Sequence, residues 1–369
     1  MKLKINWQKK SLKKYGLYNG NVYQMNNTTE KTAAQSQLLA NRLQKRFRHL
    51  KKWAQRTGAG VFRLYDRDIP EIPLVLDFYG DCAQPLNAAL SGALYKRPYE
   101  KDEDDEERWL LAMKDSAAGA LGIDRERIFL KQRQKQKGAS QYEKINTARF
   151  TKTVNEGDLS FKVNLSDYLD TGLFPDRRLL RAMIRGECEG KKLLNLFSYT
   201  GLFSVYAAAG GAASTDSADM SNTYCDWARE NFSLNNITAE IMQQWDFFSG
   251  KRACANKIIR ADVLDFLEKA AAVKMRWDII VLDPPAFSNS KKMTASFDLR
   301  RDITGLVSRC LNLLAPGGKL FLSINTRRSV TAQELEDEFK GAHVLDLGKK
   351  LIDEDFKGRK MPDTYLIEI

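Results

Sequence analysis

Histidine is almost missing from this chain. Its 369 residues contain two, His49 and His343, far apart in sequence. That leaves little room for a histidine-based triad, and there is no HExxH pair to grip zinc. Cysteine is scarce too: Cys82, Cys188, Cys225, Cys254 and Cys310 are scattered, with no CxxC pair. Such spacing speaks for reduced thiols in a cytoplasmic protein and against a metal site. No apolar run is long enough to cross a bilayer. The opening "MKLKINWQKK" has charge but no apolar core, so no secretory signal is expected. Acidic residues are nearly absent from the first 60 positions, where Glu30 stands alone.

What is there begins with that imbalance. Residues 1–60 hold 14 of the 59 Lys and Arg, a local net charge of +13, while the remainder of the chain nets −1. A concentrated basic excess points to a polyanion. Trp7, Tyr15, Tyr18 and Tyr23 are interleaved with the lysines and suit stacking on bases. Residues 1–27 read as irregular. From about Thr28 a helix is expected, with Leu39, Leu43, Phe47, Leu50 and Trp53 at helical spacing. Between them lie Arg42, Lys45, Arg46, Arg48, Lys51 and Lys52, so one face can pack and another can meet phosphates. "RTGAG" ends the helix.

From Val61 the period shortens. "VFRLYDRD" and "PLVLDFYG" read as strands, and "EKDEDDEERWLLAMKDSAAGALG" as a helix whose acids favour its first turn. "RIFLK" is a strand running into the basic loop 131–144. "FTKTVNEGDLSFKVNL" is a hairpin turning at Gly-Asp. After about residue 190, strands and helices alternate: "KLLNLF", "AASTDSAD", "KIIRAD", "WDIIVLD" and "GGKLFLSIN" are the strands. Two closing strands near "HVLDLG" and "TYLIEI" lack a full crossover between them. This predicts an α/β fold: a Rossmann-like, mostly parallel doubly wound sheet with one antiparallel strand. We expect three parts: a basic arm and helix (1–60), a small α+β domain (61–165) and the doubly wound domain (166–369). Residues 238–256 read as an inserted surface loop.

In such sheets ligands bind beyond the carboxyl ends of the strands. After the first comes "NLFSYTG", a small-residue turn in which Gly201 lets backbone approach a ligand. After the second comes Asp219, suited to ribose hydroxyls. After the third comes Asp262, able to accept from an exocyclic amine, and after the fourth Asp283. Each could be a plain helix cap. Together they outline an adenosine pocket. The turn lacks G-x-G-x-x-G and acids surround it, so a pyrophosphate fits poorly and cationic S-adenosylmethionine (SAM) fits better.

"NLFSYTG", "ADMSNTY…WARENFSLN", "RADVLDFL" and "DPPAFSNSK" resemble the class I SAM-dependent RNA methyltransferases. The nearest likeness is to the RlmK type, found as the C-terminal half of bacterial RlmL and as stand-alone relatives. "KQRQKQKGASQYEKI" and "VNLSDYLDTGLFPDRRLLRAMI" carry the likeness upstream, which runs from about residue 38 to the end. The fused proteins' THUMP domain and second methyltransferase are absent from the sequence. The resemblance implies methylation of guanine N7 in 23S rRNA, free or in a precursor ribosomal particle. It implies that "DYLDTGLFPDRR" covers the cofactor, with Tyr168, Phe174, Asp176 and Arg178 around its methionine part. The cofactor set is completed by Asn195, Phe197, Ser198, Tyr199, Thr200, Gly201, Asp219, Met220, Ser221, Asp262, Val263 and Asp283.

For the chemistry, Asp283 can hold charge beside the sulfonium. Pro284 and Pro285 make a rigid rim without N–H donors, and Phe287 can stack on an extruded base. Candidate RNA contacts are Arg42, Lys45, Arg46, Lys51, Lys131, Arg133, Lys135, Lys137, Tyr142, Asn289, Lys291 and Lys292. Three rival readings stand. Cytosine C5 methylation needs a cysteine nucleophile, and none of the five lies at a strand end. Adenine N6 methylation would suit an acid, two prolines and an aromatic, although Ala286 intervenes. A non-catalytic RNA-binding assembly factor would have no need of Asp219, Asp262 and Asp283 together.

Overall fold

A computed structural model describes residues 5–97, 99, 102–132, 150–250, 254–285, 287–288, 297–325 and 330–369; for 5–28, 132, 287–288 and 297–300 it describes backbone alone. The chain divides into two compact units, Met1–Lys52 with Leu64–Gln132, and Trp53–Arg63 with Arg133–Ile369.

The first unit opens with α1 (Ile5–Thr57), 53 residues long. The expected irregular start is therefore corrected: the helix begins at Ile5, not near Thr28. No proline interrupts the chain before Pro70, and the run is rich in Lys, Leu and Gln, which tolerate a helix even around Gly16 and Gly20. Leu39, Leu43 and Leu50 are buried, as their spacing required. Four strands follow the helix in sequence: β1 (Val61–Asp66), β2 (Leu74–Tyr79), β3 (Ala89–Leu94) and, after α2 (Glu103–Leu121), β4 (Ile128–Gln132). They form a sheet in the order β1-β2-β3-β4, antiparallel between β2 and β3, parallel between β3 and β4. Asp102 caps α2 by accepting from the amides of Asp104 and Asp105, so the acid run is a helix start. Trp109 of α2 donates to Gln35 of α1 at 2.7 Å, and Phe47 packs on Phe78 with centroids 5.3 Å apart.

The second unit begins with the hairpin β5 (Thr151–Glu156) and β6 (Leu159–Asn164), turning at Gly157-Asp158 as expected. Then come α3 (Arg178–Glu187), β7 (Lys192–Leu196), α4 (Leu202–Ala209), β8 (Ser214–Asp219), α5 (Asn222–Leu234), β9 (Ala239–Gln243), α6 (Gln244–Phe248) and β10 (Asn256–Arg260). They are followed by α7 (Val263–Ala272), β11 (Trp277–Leu282), the short β12 (Phe287–Ser288) and β13 (Phe297–Asp298), and α8 (Leu299–Leu311). β14 (Leu314–Ile324), α9 (Ala332–Glu338), β15 (His343–Asp346) and β16 (Asp363–Glu368) complete the chain. Eight strands form one sheet in the order β15-β16-β14-β11-β7-β8-β10-β9. Every pairing is parallel except those of β16, which runs against both β14 and β15. One antiparallel strand in a doubly wound sheet is the expected fold.

Alternate residues of the central strands feed two cores. Leu194, Ile280, Leu282, Leu320 and Leu322 face one side with α7 and α8; Leu193, Ile279, Val281 and Phe321 face the other with α3 and α4. The expected loop at 238–256 is corrected. Residues 239–243 form the edge strand β9 and 244–248 a short helix, because β10 offers a free edge to pair with. Only Met242 of β9 is buried, so the segment lacks the apolar signature of a core strand.

Candidate active site

The carboxyl ends of β7, β8, β10 and β11 converge on one region of the second unit, and the turn after β7 is the most constrained part of it. Phe197, Tyr199 and Gly201 all have left-handed backbone, at φ 54°, 50° and 76°. Two non-glycine residues in that conformation within three positions store strain, which concentrates at ligand sites. Cross-links hold the turn. Ser198 donates its amide to Ala218, Tyr199 its amide to Asp219 Oδ2 at 2.9 Å, and Thr200 Oγ1 donates to the Gly172 carbonyl at 2.6 Å. Beneath it Asn195 donates to Ser204 Oγ, which lies 2.7 Å from Ser217 Oγ in a buried polar chain. Gly201 has a different task from the one its sequence context suggested: a Cβ there would meet Ala228 Cβ at 2.8 Å, so the glycine lets α4 start against α5.

Asp219 ends β8. Its Oδ1 accepts from the Ser221 amide and its Oδ2 from the Tyr199 amide, each at 2.9 Å. Burial pushes its carboxyl up to about 6, against the lowering pull of the Ser221, Tyr199 and Met220 amides. Ser221 caps α5, and Met220 is half-buried between them. Asp262 caps α7 by accepting from the Leu264 and Asp265 amides on Oδ1 alone. Among the described residues its Oδ2 has no printed donor, and Val263 beside it is buried in the core. Asp262 is thus both a helix cap and an available acceptor.

The segment expected to cover the cofactor is stitched to this frame. Tyr168, Phe174, Tyr199, Tyr224 and Trp227 form an aromatic cluster with centroids 4.5 to 6.4 Å apart. Trp227, Asn231 and Asn235 of α5 explain the "WARENFSLN" motif. Trp227 donates to the Lys162 carbonyl, Asn231 accepts the Lys162 amide and donates to the Thr200 carbonyl, and Asn235 exchanges two bonds with Ser160. One helix face therefore fixes both the hairpin and the turn.

The arginine is redirected. Arg178 was the expected partner of the methionine carboxylate. In the structure its guanidinium is buried elsewhere, donating to Asp353 at 2.7 Å and to the Val61 carbonyl at 2.6 Å, near Asp355 and Glu156 and over the Trp53 ring. Its neighbour Arg177 faces the site instead. Arg177 grips Asp283 through Nε–Oδ2 and Nη2–Oδ1, both 3.0 Å, and Asp176 through Nη1–Oδ2, also 3.0 Å. The two arginines straddle the end of a 3-10 turn at Pro175–Arg177, where successive side chains diverge by about 120°. Only one of an adjacent pair can face the site, and sequence did not say which. Burial disfavours the Arg177 cation, but Asp283 and Asp176 outweigh that and hold it protonated.

Pro284 is buried and Pro285 half-buried after Asp283. Phe287 lies in β12 opposite Asp298, its side chain outside the described residues. Arg133, Lys135, Lys137, Tyr142, Asn289, Lys291 and Lys292 also lie outside them. Of the remaining RNA candidates, Lys45 is exposed and Arg46 and Lys51 are half-buried. Arg42 pairs with Asp68 at 2.6 Å, and Lys131 is 8% exposed within β4, where a phosphate has little access. Four of the five thiols, Cys82, Cys188, Cys225 and Cys310, are buried; burial pushes Cys82 up to about 11, Cys188 and Cys225 to about 12, and Cys310 higher still.

Two buried oxygens lack a hydrogen-bond partner: Asp176 Oδ1, and Ser198 Oγ in the strained turn. Buried polar atoms are rarely left so without a ligand to fill them. An acceptor beside the aromatic cluster suits an ammonium. Asp219 and the free oxygen of Asp262 suit ribose hydroxyls and an adenine amine. The donor set thus fits SAM. The comparisons with known proteins agree. Residues 76–357 match the family model described as S-adenosylmethionine-dependent methyltransferase. The chain belongs to this family. It is 43% identical over 322 residues to ribosomal RNA large subunit methyltransferase K of Neisseria meningitidis serogroup B, covering 87% of this chain and 84% of that one. It is 42% identical to ribosomal RNA large subunit methyltransferase K/L of Hahella chejuensis, covering 90% of this chain but 42% of the longer protein. The chain thus spans about two-fifths of the fused K/L relatives. The crystal structure of SMU.776 complexed with SAH superposes with a TM-score of 0.66 at 21% identity, over 90% of this chain and 82% of that one. A SAM-dependent methyltransferase from Agrobacterium tumefaciens gives 0.53 at 18% identity, over 84% and 90%. These two likenesses carry the fold. The methyltransferase reading made from the strand-end carboxylates stands, and the cofactor is SAM.

Proposed function

We propose that this methyltransferase acts on 23S ribosomal RNA and delivers its methyl group to N7 of a guanosine. The relatives' names support ribosomal RNA as the substrate class. The observation that carries the choice of atom is the pairing of Asp283 with Arg177. Each Asp283 oxygen already accepts from that guanidinium. A carboxylate so engaged is a poor receiver for an adenine amine. Guanine N7 offers a free lone pair and asks no group to remove a proton before attack. The buried thiols speak equally against cytosine C5, which needs an accessible thiolate.

When bound, SAM supplies the electrophilic methyl. The N7 lone pair forms the new N–C bond, the C–S bond breaks, and its electron pair stays on sulfur. S-adenosylhomocysteine (SAH) leaves neutral and the base becomes cationic. The chain's residues align the partners and exclude water. Asp219, Asp262, Ser198 and Asp176 hold the cofactor. Pro284 and Pro285 form the rim, with Phe287 as the stacking surface and Asn289, Lys291 and Lys292 beyond it. The basic helix and the loop 131–144 carry RNA affinity, which places the work in the cytoplasm. The test is mass spectrometry of nucleosides from bulk rRNA incubated with enzyme and isotope-labelled SAM. Label in 7-methylguanosine is expected; label in methylcytidine or methyladenosine would reject the N7 reading.

A further inference from the structure

The carboxylates of Asp176 and Asp283 and the guanidinium of Arg177 form one buried chain at the end of β11, each link 3.0 Å. Two negative groups and one positive leave a single net negative charge. The Arg177 side chain is 9% exposed, so little water screens the group. Its ends are unequal. Asp283 is engaged on both oxygens, whereas Asp176 keeps Oδ1 buried with no partner. The residual charge therefore has an unfilled acceptor at the Asp176 end.

SAM carries one net positive charge, from its sulfonium, ammonium and carboxylate. SAH, having lost the methyl cation, carries none. We propose that Arg177 sets the charge of this trio to minus one, and that the trio thereby discriminates substrate SAM from product SAH. The inference rests on the reading that the cofactor lies across these strand ends. It makes Arg177 a positioning and charge-setting residue rather than a catalytic one. Without it the trio would carry two negative charges, hold SAM more tightly than SAH, and leave Asp283 unanchored. Without the charge of Asp176 the trio would be neutral and its preference for SAM would fall.

The experiment measures the dissociation constants of SAM and SAH by calorimetry for the full-length protein and three variants. Arg177→Met should raise the ratio of SAM to SAH affinity about tenfold, which is about 1.4 kcal/mol. Asp176→Asn should lower it by about the same factor. Arg177→Lys, which keeps the charge and loses the fork, should leave the ratio within about twofold of the parent while weakening catalysis. Melting temperatures taken alongside confirm that each variant is folded. If Arg177→Met does not fold, the Asp176→Asn and Arg177→Lys arms still decide. A ratio that stays constant across the charge series, or moves against it, overturns the inference and leaves the cofactor site standing. Failure of the parent to bind either compound overturns both.

Discussion

Arg177 and Asp283 meet through two parallel hydrogen bonds of 3.0 Å, the arginine almost wholly buried and the carboxylate one-fifth exposed. Such a fork is rigid and directional. It fixes the carboxylate that ends β11 before any substrate arrives, so the strand end is preorganised. Asp283→Ala should then abolish methyl transfer while RNA binding persists, because the RNA affinity resides elsewhere. It should also cost about 1–2 kcal/mol of stability, since Arg177 would retain only Asp176. Single-turnover methylation, RNA gel shifts and thermal melts on one preparation check all three. Equal loss of RNA binding would make Asp283 structural.

Asp219 gives the cofactor affinity a pH dependence. Burial raises its carboxyl to about 6, and the ribose hydroxyls need the ionised form as acceptor. Affinity for SAH should hold above about pH 7 and fall as pH drops through 6, at most about tenfold per unit. The stability of the unliganded protein carries the opposite sign at this residue. A carboxyl raised on folding stabilises most below its unfolded value and loses that contribution as pH rises through 6. Asp355, also raised to about 6 by burial, contributes in the same direction. Calorimetric SAH titration from pH 5 to 8 should show the fall, and Asp219→Asn should flatten the curve at weaker affinity.

Gly172 is the tightest point of the segment over the cofactor. Its φ is 95°, and a Cβ would meet the Trp227 ring at 2.2 Å, while its carbonyl accepts from Thr200. Gly172→Ala should destabilise by about 2–3 kcal/mol, combining strain with overpacking. It should also weaken SAH binding, because the aromatic cluster around Tyr199 would shift. A melting curve unchanged from the parent would contradict the packing argument.

Much of this was legible in sequence for a physical reason. β7, β11 and β14 are buried on both faces, so they read as unbroken apolar runs that end on polar residues. Asp219, Asp262 and Asp283 could be located by counting. The failures share a cause as well. β9 buries only Met242, so an edge strand looked like a loop. Which of Arg177 and Arg178 faces the site depends on the phase of a three-residue turn, which composition does not encode. The role of Gly201 depended on Ala228, 27 positions away in sequence and touching only in the fold.

Cysteine chemistry should be dispensable. Cys310 lies in the core of α8, and Cys225 is buried against the Asp219 carbonyl. Cys225→Ala and Cys310→Ala should each retain methyl transfer to within a few-fold. The cost should be about 1 kcal/mol of stability from the lost volume. Loss of activity at full folding, with methylcytidine as the parent's product, would restore the cytosine C5 reading.

RNA affinity should fall steeply with salt, because phosphate neutralisation releases counterions. Individual residues separate the contributors. Lys45 is exposed on α1, whereas Lys131 is 8% exposed within β4. Lys45→Gln should weaken binding on every RNA sequence tried and lower the salt slope by about one unit. Lys131→Gln should leave the slope unchanged and lower the melting temperature instead, since it alters a buried strand. Fluorescence anisotropy with an rRNA fragment at several salt concentrations measures both. If Lys131→Gln lowered the slope as much as Lys45→Gln, the RNA path would run along β4, and the basic helix would lose its place as the principal contact.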